Sequence, residues 1–130
     1  MTPSTRPLGP ADVDPPVEAA RPRRRWDGML AISAYLAFPP GRGADGLRAF
    51  QAVTGPIRAE EGCQEFGAFA CPDDADTVFV FEVWASQDAL ARHFQTDHVA
   101  VLGAELTRLE MRSEATTGYE VTSSRQLTEG

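Results

Sequence analysis

The chain of 130 residues contains no lysine and no asparagine, and all 12 of its basic residues are arginine. Both missing residues have A-rich codons, so their absence points to a GC-rich genome and says little directly about chemistry. Positive charge is in short supply overall. The net charge of −7 argues against nucleic acid as a partner, because phosphate binding needs clustered cations. No apolar run approaches the length of about 20 residues that a membrane helix requires. Cysteine is scarce: Cys63 and Cys71 bracket the segment CQEFGAFAC. Read as a strand, that segment separates their Cα atoms by roughly 26 Å, whereas a disulfide needs less than about 7 Å. The expected state is two reduced thiols in a cytoplasmic protein. No glycine-rich phosphate loop follows a predicted strand, and no serine sits in a G-x-S-x-G elbow. Neither a nucleotide cofactor nor a serine nucleophile is therefore indicated.

What is present suits one globular domain. Hydrophobic residues make up 42% and charged residues 24%, ordinary values for a folded chain of this length. Residues 1–27 stand apart, with six of the ten prolines, four acids and no apolar periodicity. They read as a disordered Pro/Arg-rich arm. Arginines followed by an apolar run also suit an export signal. Against that, Asp27 and Gly28 interrupt the step, no small-x-small cleavage site follows, and the run alternates. Leu30, Ile32, Ala34, Leu36 and Phe38 share one face, with Ser33 and Tyr35 on the other, as in a half-buried strand. PPGRGAD makes a turn, and Asp45 is placed to cap a helix carrying Leu47, Phe50, Val53 and Ile57. Gly55-Pro56 predicts a kink or break in that helix, and Gly62 ends it. Strands are expected at Cys63 to Cys71 and Thr77 to Trp84, with PDDAD as the turn between them. Ser86 predicts a helix over 87–95, and Thr96 a second short one to about Leu106. Leu109 to Glu114 and Tyr119 to Thr122 supply one or two closing strands. The folded unit is expected over 28–122, with 123–130 as a tail. The order β-α-β-β-α-β is the ferredoxin-like α+β arrangement. Its helices cover one sheet face only, so a second copy is the economical cover for the other.

The stretch VFVFEVWASQDALARHFQTDH, residues 78–98, holds both histidines and one of the two tryptophans. Strand alternation puts Val78, Val80, Glu82 and Trp84 on one face and the apolar Phe79, Phe81 and Val83 on the other. A carboxylate half-buried beside an indole needs a partner. A structural Glu82 bonded to a backbone amide stays open beside a chemical role. His93 shares an inward helix face with Ala89 and Leu90, where a satisfied core histidine is the plainer alternative. His98 follows five residues later, roughly 140° around a continuous helix, which is poor spacing for a zinc pair. With the cysteines also badly placed, no metal is expected. The candidate pocket lies between sheet and helices, edged by Trp84, Glu82, His93, His98 and Tyr35.

RAEEGC (58–63), FEVWASQDALARHFQTDH (81–98) and RLEMR (108–112) together resemble the antibiotic-biosynthesis-monooxygenase family, nearest its quinol-monooxygenase branch. The shared pattern is an E-x-G-C turn, an E-x-W-x-S strand-to-helix junction, and L-x-x-H followed by T-x-H, over about residues 28–122. The resemblance implies a homodimer of ferredoxin-like subunits packed into a dimeric α/β barrel. It also implies a pocket in each subunit and oxygenation of an electron-rich aromatic, a hydroquinone or polyketide-type phenol, with O₂ and no metal, heme or flavin. The anthrone-oxidising branch carries Asn and Tyr where this chain has Val80 and Leu90. The heme-degrading branch needs Asn, Trp and His where this chain has Ala34, His93 and Gly103, so heme degradation is not expected. The implied catalytic residues are His93 as base, His98 as second candidate and Glu82 as orienting group. Trp84, Tyr35, Val80, Leu90 and Phe66 are the implied substrate wall. A non-oxidative isomerase or cyclase using the same groups, and a non-catalytic accessory module, remain as alternatives.

Overall fold

The computed structural model describes residues 26–128. Seven elements follow in order. They are β1 (Met29–Ala37), α1 (Gly43–Arg58), β2 (Cys63–Cys71), β3 (Asp74–Trp84), α2 (Gln87–His93), α3 (Asp97–Arg108) and β4 (Arg112–Val121). The strands form one antiparallel sheet in the order β2-β3-β1-β4, which is the ferredoxin-like arrangement. The arm expected over 1–27 lies outside the described residues, apart from Trp26 and Asp27. Trp26 turns back on the strand start, donating its indole N–H to the Met29 carbonyl at 2.9 Å.

Alternation along β1 and β3 decides which side chains meet the helices. Ala34 pairs with Val80 and Leu36 with Val78, and all four are buried with Phe50, Val53 and Ile57 of α1 and Leu102 and Leu106 of α3. Each large apolar side chain so removed from water contributes about 1.5–3 kcal/mol. The opposite face carries the odd set. Tyr35 pairs with Phe79, their ring centroids 4.9 Å apart, and Phe79 pairs with Phe69. Tyr35, Phe69 and Tyr119 are exposed there.

Several local expectations are corrected. Asp45 does not cap α1. It lies inside the first turn and pairs with Arg48. The helix begins at Gly43 with Arg42 in the capping position and no side-chain cap from the chain just before it. The cap comes from β3 instead. Asp76 accepts from the Gly43 amide at 2.9 Å and from the Gly41 amide at 3.1 Å, a charge-assisted arrangement at the positive end of the helix. Gly43 has to be glycine, since a Cβ there would lie 2.0 Å from the Ala75 carbonyl oxygen. α1 also runs unbroken through Gly55-Pro56. Pro56 removes one backbone bond near the helix end, and burial of Val53 and Ile57 on either side holds the helical path. TTG does not separate two closing strands: residues 116–118 lie within the single β4 and pair with β1. β3 begins at Asp74, so the PDDAD turn is shorter than expected, and α2 ends at His93 rather than 95.

Asp76→Ala should therefore lower stability by about 1–2 kcal/mol, roughly 5–10 °C in a thermal melt. Asp45→Ala should move the melting temperature far less. Equal losses in circular-dichroism melts of the two variants would show that the cap is misassigned.

Candidate functional site

The site is built where α1, β3, α2 and α3 meet. α1 ends at Arg58, and the chain turns through Glu60. The Glu60 amide donates to the Ile57 carbonyl, and the Cys63 amide donates to the Glu60 carbonyl. Gly62 has φ +88°, a left-handed conformation that favours glycine. A Cβ there would sit 2.4 Å from the Ala89 Cβ, so the turn packs directly on α2. The Ala85 amide donates to the Gly62 carbonyl at 2.8 Å, tying the same turn to the end of β3. Glu60 is thereby held in a turn tied to both β3 and α2.

α2 starts where Ser86 Oγ accepts from the Ala89 amide at 3.1 Å. At its far end it delivers His93, buried with Ala89. Thr96 interrupts the helical path. Its hydroxyl donates to the His93 carbonyl at 2.8 Å and accepts from the Val99 amide at 3.3 Å, capping α3. His98 then lies in the first turn of a different helix. The divergence expected of two rings on one continuous helix does not apply, and the two imidazoles converge. His93 Nδ1 lies 2.9 Å and His98 Nε2 lies 2.6 Å from the same oxygen, Glu60 Oε2. Side-chain exposure rises along this set, from 5% for His93 and 10% for Glu60 to 25% for His98. The cluster thus runs from the core to the surface. The His93 ring stacks at a tilt against Trp84, centroids 4.6 Å apart.

Glu82 does not orient a histidine through a hydrogen bond. Its Oε1 accepts from the Trp84 indole N–H at 2.8 Å, so the partner is neither imidazole nor backbone amide. Burial pushes the Glu82 carboxyl above its ordinary range. The Trp84 bond and the neighbouring His93 pull it back, and Glu60 adds a smaller push upward. The Cys63 thiol is raised in the same way, by burial first and then by Glu60 and Glu82, which makes it a poor nucleophile at neutral pH.

The structure brings together His93, His98, Glu82 and Trp84. Phe66 is the cross-strand neighbour of Glu82, and Phe66 and Val80 are buried in the core beneath the cluster. Leu90 is half-buried on α2. Tyr35 is not at the site. Its side chain is on the opposite face of the sheet, because it is odd in register with Ala34 and Leu36. Trp84 is wholly buried, so its ring is covered by side chains rather than forming an open wall. A groove of about 670 Å³ between α1 and α3, floored by Ala52, Val53 and Leu102, shares no residue with the cluster. Among the described residues no His, Cys, Asp and Glu group is arranged to hold a metal ion. Reading the sequence missed Glu60. It lies on a different element from His93 and far earlier in the chain, beyond the reach of any local pattern. Its one signal was its place as the first acid of the E-x-G-C turn.

The raised Glu82 carboxyl sets a pH dependence. Protonated Glu82 is favoured by the fold, so its stabilisation is complete below the unfolded value of about 4.3. It is lost as pH climbs through the higher folded value. Glu82→Gln keeps an acceptor for the indole and removes the titration. Its melting temperature relative to wild type should rise between pH 4 and pH 8. A constant difference across that range would show that burial does not disfavour the charged form.

Comparison with known proteins agrees with the fold. A candidate antibiotic biosynthesis monooxygenase from Caulobacter crescentus superposes with a TM-score of 0.66 at 22% identity, over 76% of this chain and 94% of that one. A protein of unknown function from Bacteroides thetaiotaomicron, described as a candidate oxidoreductase, gives 0.65 at 23% identity, over 73% and 99%. At these identities the likeness establishes the fold. A stretch of 72 residues is 25% identical to an uncharacterized protein of Synechocystis. It covers 55% of this chain, which spans about half the length (49%) of that curated relative. The family model for antibiotic biosynthesis monooxygenase matches residues 29–103, more than half of the chain, and the chain belongs to that family.

Proposed function

We propose that the protein is a cofactor-independent monooxygenase acting on an electron-rich aromatic, a hydroquinone or polyketide-type phenol. The observation that carries this reading is the convergence of both histidines of the chain on one buried carboxylate, beside a buried indole. O₂ is a triplet and reacts slowly with closed-shell molecules. A phenolate or enolate is electron-rich enough to pass it one electron. The protein's work is then to take a phenolic proton and to hold the radical pair away from water. One oxygen atom enters the substrate and the other leaves as water, so a hydroquinone and O₂ yield a hydroxyquinone and H₂O. His93 is the proton acceptor in this scheme. Nδ1 faces Glu60, which leaves Nε2 for the substrate. The reading assigns O₂ as co-substrate and no metal, heme or flavin.

The reading includes a homodimer. Tyr35, Phe69 and Tyr119 are exposed on the face opposite the helices, and a second copy would cover them. Light scattering at micromolar concentration should give about twice the 14.1 kDa chain mass. A single-chain mass would remove the dimer from the reading.

One observation favours a second reading. Trp84 is fully buried and His93 nearly so, as in an accessory module whose pocket is filled by its own side chains. Oxygen uptake with 1,4-naphthohydroquinone, above the uncatalysed rate, separates the two. In the oxygenase, His93→Gln should lower turnover roughly 10²-fold. Higher pH should partly restore it, because a phenol of pKa about 10 then ionises unaided. If the wild type gives no rate above background, the accessory module takes over. Conversion without O₂ consumption would point to an isomerase or cyclase.

A further inference from the structure

We infer that Glu60 is a positioning residue. It locks the two histidines in opposite tautomers and so leaves Nε2 of His93 free to act as the base. The inference rests on the oxygenase reading for what the base does, and on geometry alone for the tautomers.

Glu60 Oε2 is the shared acceptor. A carboxylate has no proton to give, so each imidazole nitrogen facing it is the one that carries hydrogen. That puts the proton of neutral His93 on Nδ1 and the proton of neutral His98 on Nε2. The remaining nitrogens, His93 Nε2 and His98 Nδ1, are left with lone pairs. Which imidazole nitrogen is protonated is set by the bond the other one makes. Here one carboxylate makes that choice for both rings, His93 Nδ1 facing both of its oxygens (2.9 and 3.2 Å) and His98 Nε2 facing Oε2.

The support around Glu60 has the rigidity this role needs. The backbone on either side of the carboxylate is tied by the Glu60 amide to Ile57 and by the Cys63 amide to the Glu60 carbonyl. Gly62 presses that turn onto Ala89 of α2, one helical turn before His93. The carboxylate is only 10% exposed, so water is a poor substitute for either ring. When Nε2 of His93 takes a proton from substrate, the imidazolium lies 2.9 Å from a negative oxygen. His98, arriving from a separate helix, bonds the same oxygen at 2.6 Å. The arrangement follows the base-and-orienter logic of acid–base triads, in which the carboxylate holds the ring and does not itself take the proton. His98 is the second arm of the clamp.

The test uses the full chain, whose only two histidines are these, so His98→Gln removes one set of imidazole ¹⁵N signals and assigns both. Long-range ¹H–¹⁵N spectra of the neutral rings, recorded at about pH 8.5, should show opposite tautomers, Nδ1–H for His93 and Nε2–H for His98. Glu60→Gln keeps the shape but offers one oxygen and an NH₂ group. At least one ring should change tautomer or lose its single form. Turnover of 1,4-naphthohydroquinone should fall roughly 10²-fold in kcat, with KM changed less than about threefold. Glu60→Asp restores the charge on a shorter arm and should recover one ring's tautomer and part of kcat. His98→Gln should leave the His93 tautomer intact. A thermal melt of each variant shows that it is folded. Like tautomers in the wild type would overturn the inference. So would wild-type tautomers in Glu60→Gln, or wild-type kcat despite changed tautomers. If the wild type consumes no O₂ while its tautomers are opposite, the oxygenase reading fails and the clamp stands.

Discussion

A buried carboxylate is expensive unless it is paired and hydrogen-bonded, and in this protein Glu60 is the carboxylate on which the site depends. It has no guanidinium partner among the described residues. Arg58, two positions away, turns its Nε to the Phe66 carbonyl instead. The charge is met by two imidazoles from two helices. That requirement explains several features that look unrelated in sequence. α2 has to stop at His93, and the chain has to restart as α3 before His98, because one continuous helix would carry the rings to different sides. Thr96 makes the break, bonding back to the His93 carbonyl and forward to the Val99 amide. Gly62 has to be glycine, because the turn holding Glu60 lies against Ala89.

The architecture was legible in the sequence because it rests on periodicity. The alternation of Leu30, Ile32, Ala34 and Leu36, and of Val78, Val80, Glu82 and Trp84, is a statement about sheet faces, and burial on one face enforces it. The errors fall where a partner distant in the chain overrides a local signal. Asp45 has the right residue type and position for a cap, yet Asp76, from a strand much later in the chain, reaches the Gly43 amide first. Gly55-Pro56 is a local breaker, but Val53 and Ile57 are buried against the core and hold the helix through it. Glu60 belongs to the same class: nothing within its own turn announces that two histidines from helices beyond the next two strands will close on it. Tyr35 is a different kind of miss. Its own strand pattern placed it on the outer face, and the structure keeps it there.

Both sheet faces are apolar, but they differ in how that apolar surface is used. Helices α1 and α3 cover the face that carries Ala34, Val78 and Val80. The face that carries Tyr35, Phe79 and Phe69 is left to solvent in a single chain, with a stacked pair at 4.9 Å. Exposed aromatic rows of this kind mark interaction surfaces more often than they mark random exposure. The Glu60 cluster is on the helix side, so covering the outer face does not by itself obstruct it.

Polarity within the helix side is also uneven, and this bears on the chemistry available. Val80 and Leu90 stand where the anthrone-oxidising branch has polar residues, and here Val80 is packed among Ala34, Ala68 and the core. The polar groups are instead gathered at the far end of β3, within the reach of Trp84: Glu82 on its indole, His93 on its ring face, Glu60 and His98 behind. A substrate held over the Val80 region would find no hydrogen-bond partner there to fix it. At the Trp84 end, His93 holds an imidazole nitrogen against the Glu60 carboxylate. Both histidines of this chain are therefore gathered at one end of the strand. In the proposed reaction the substrate presents its labile proton at that end, whatever the rest of it rests against.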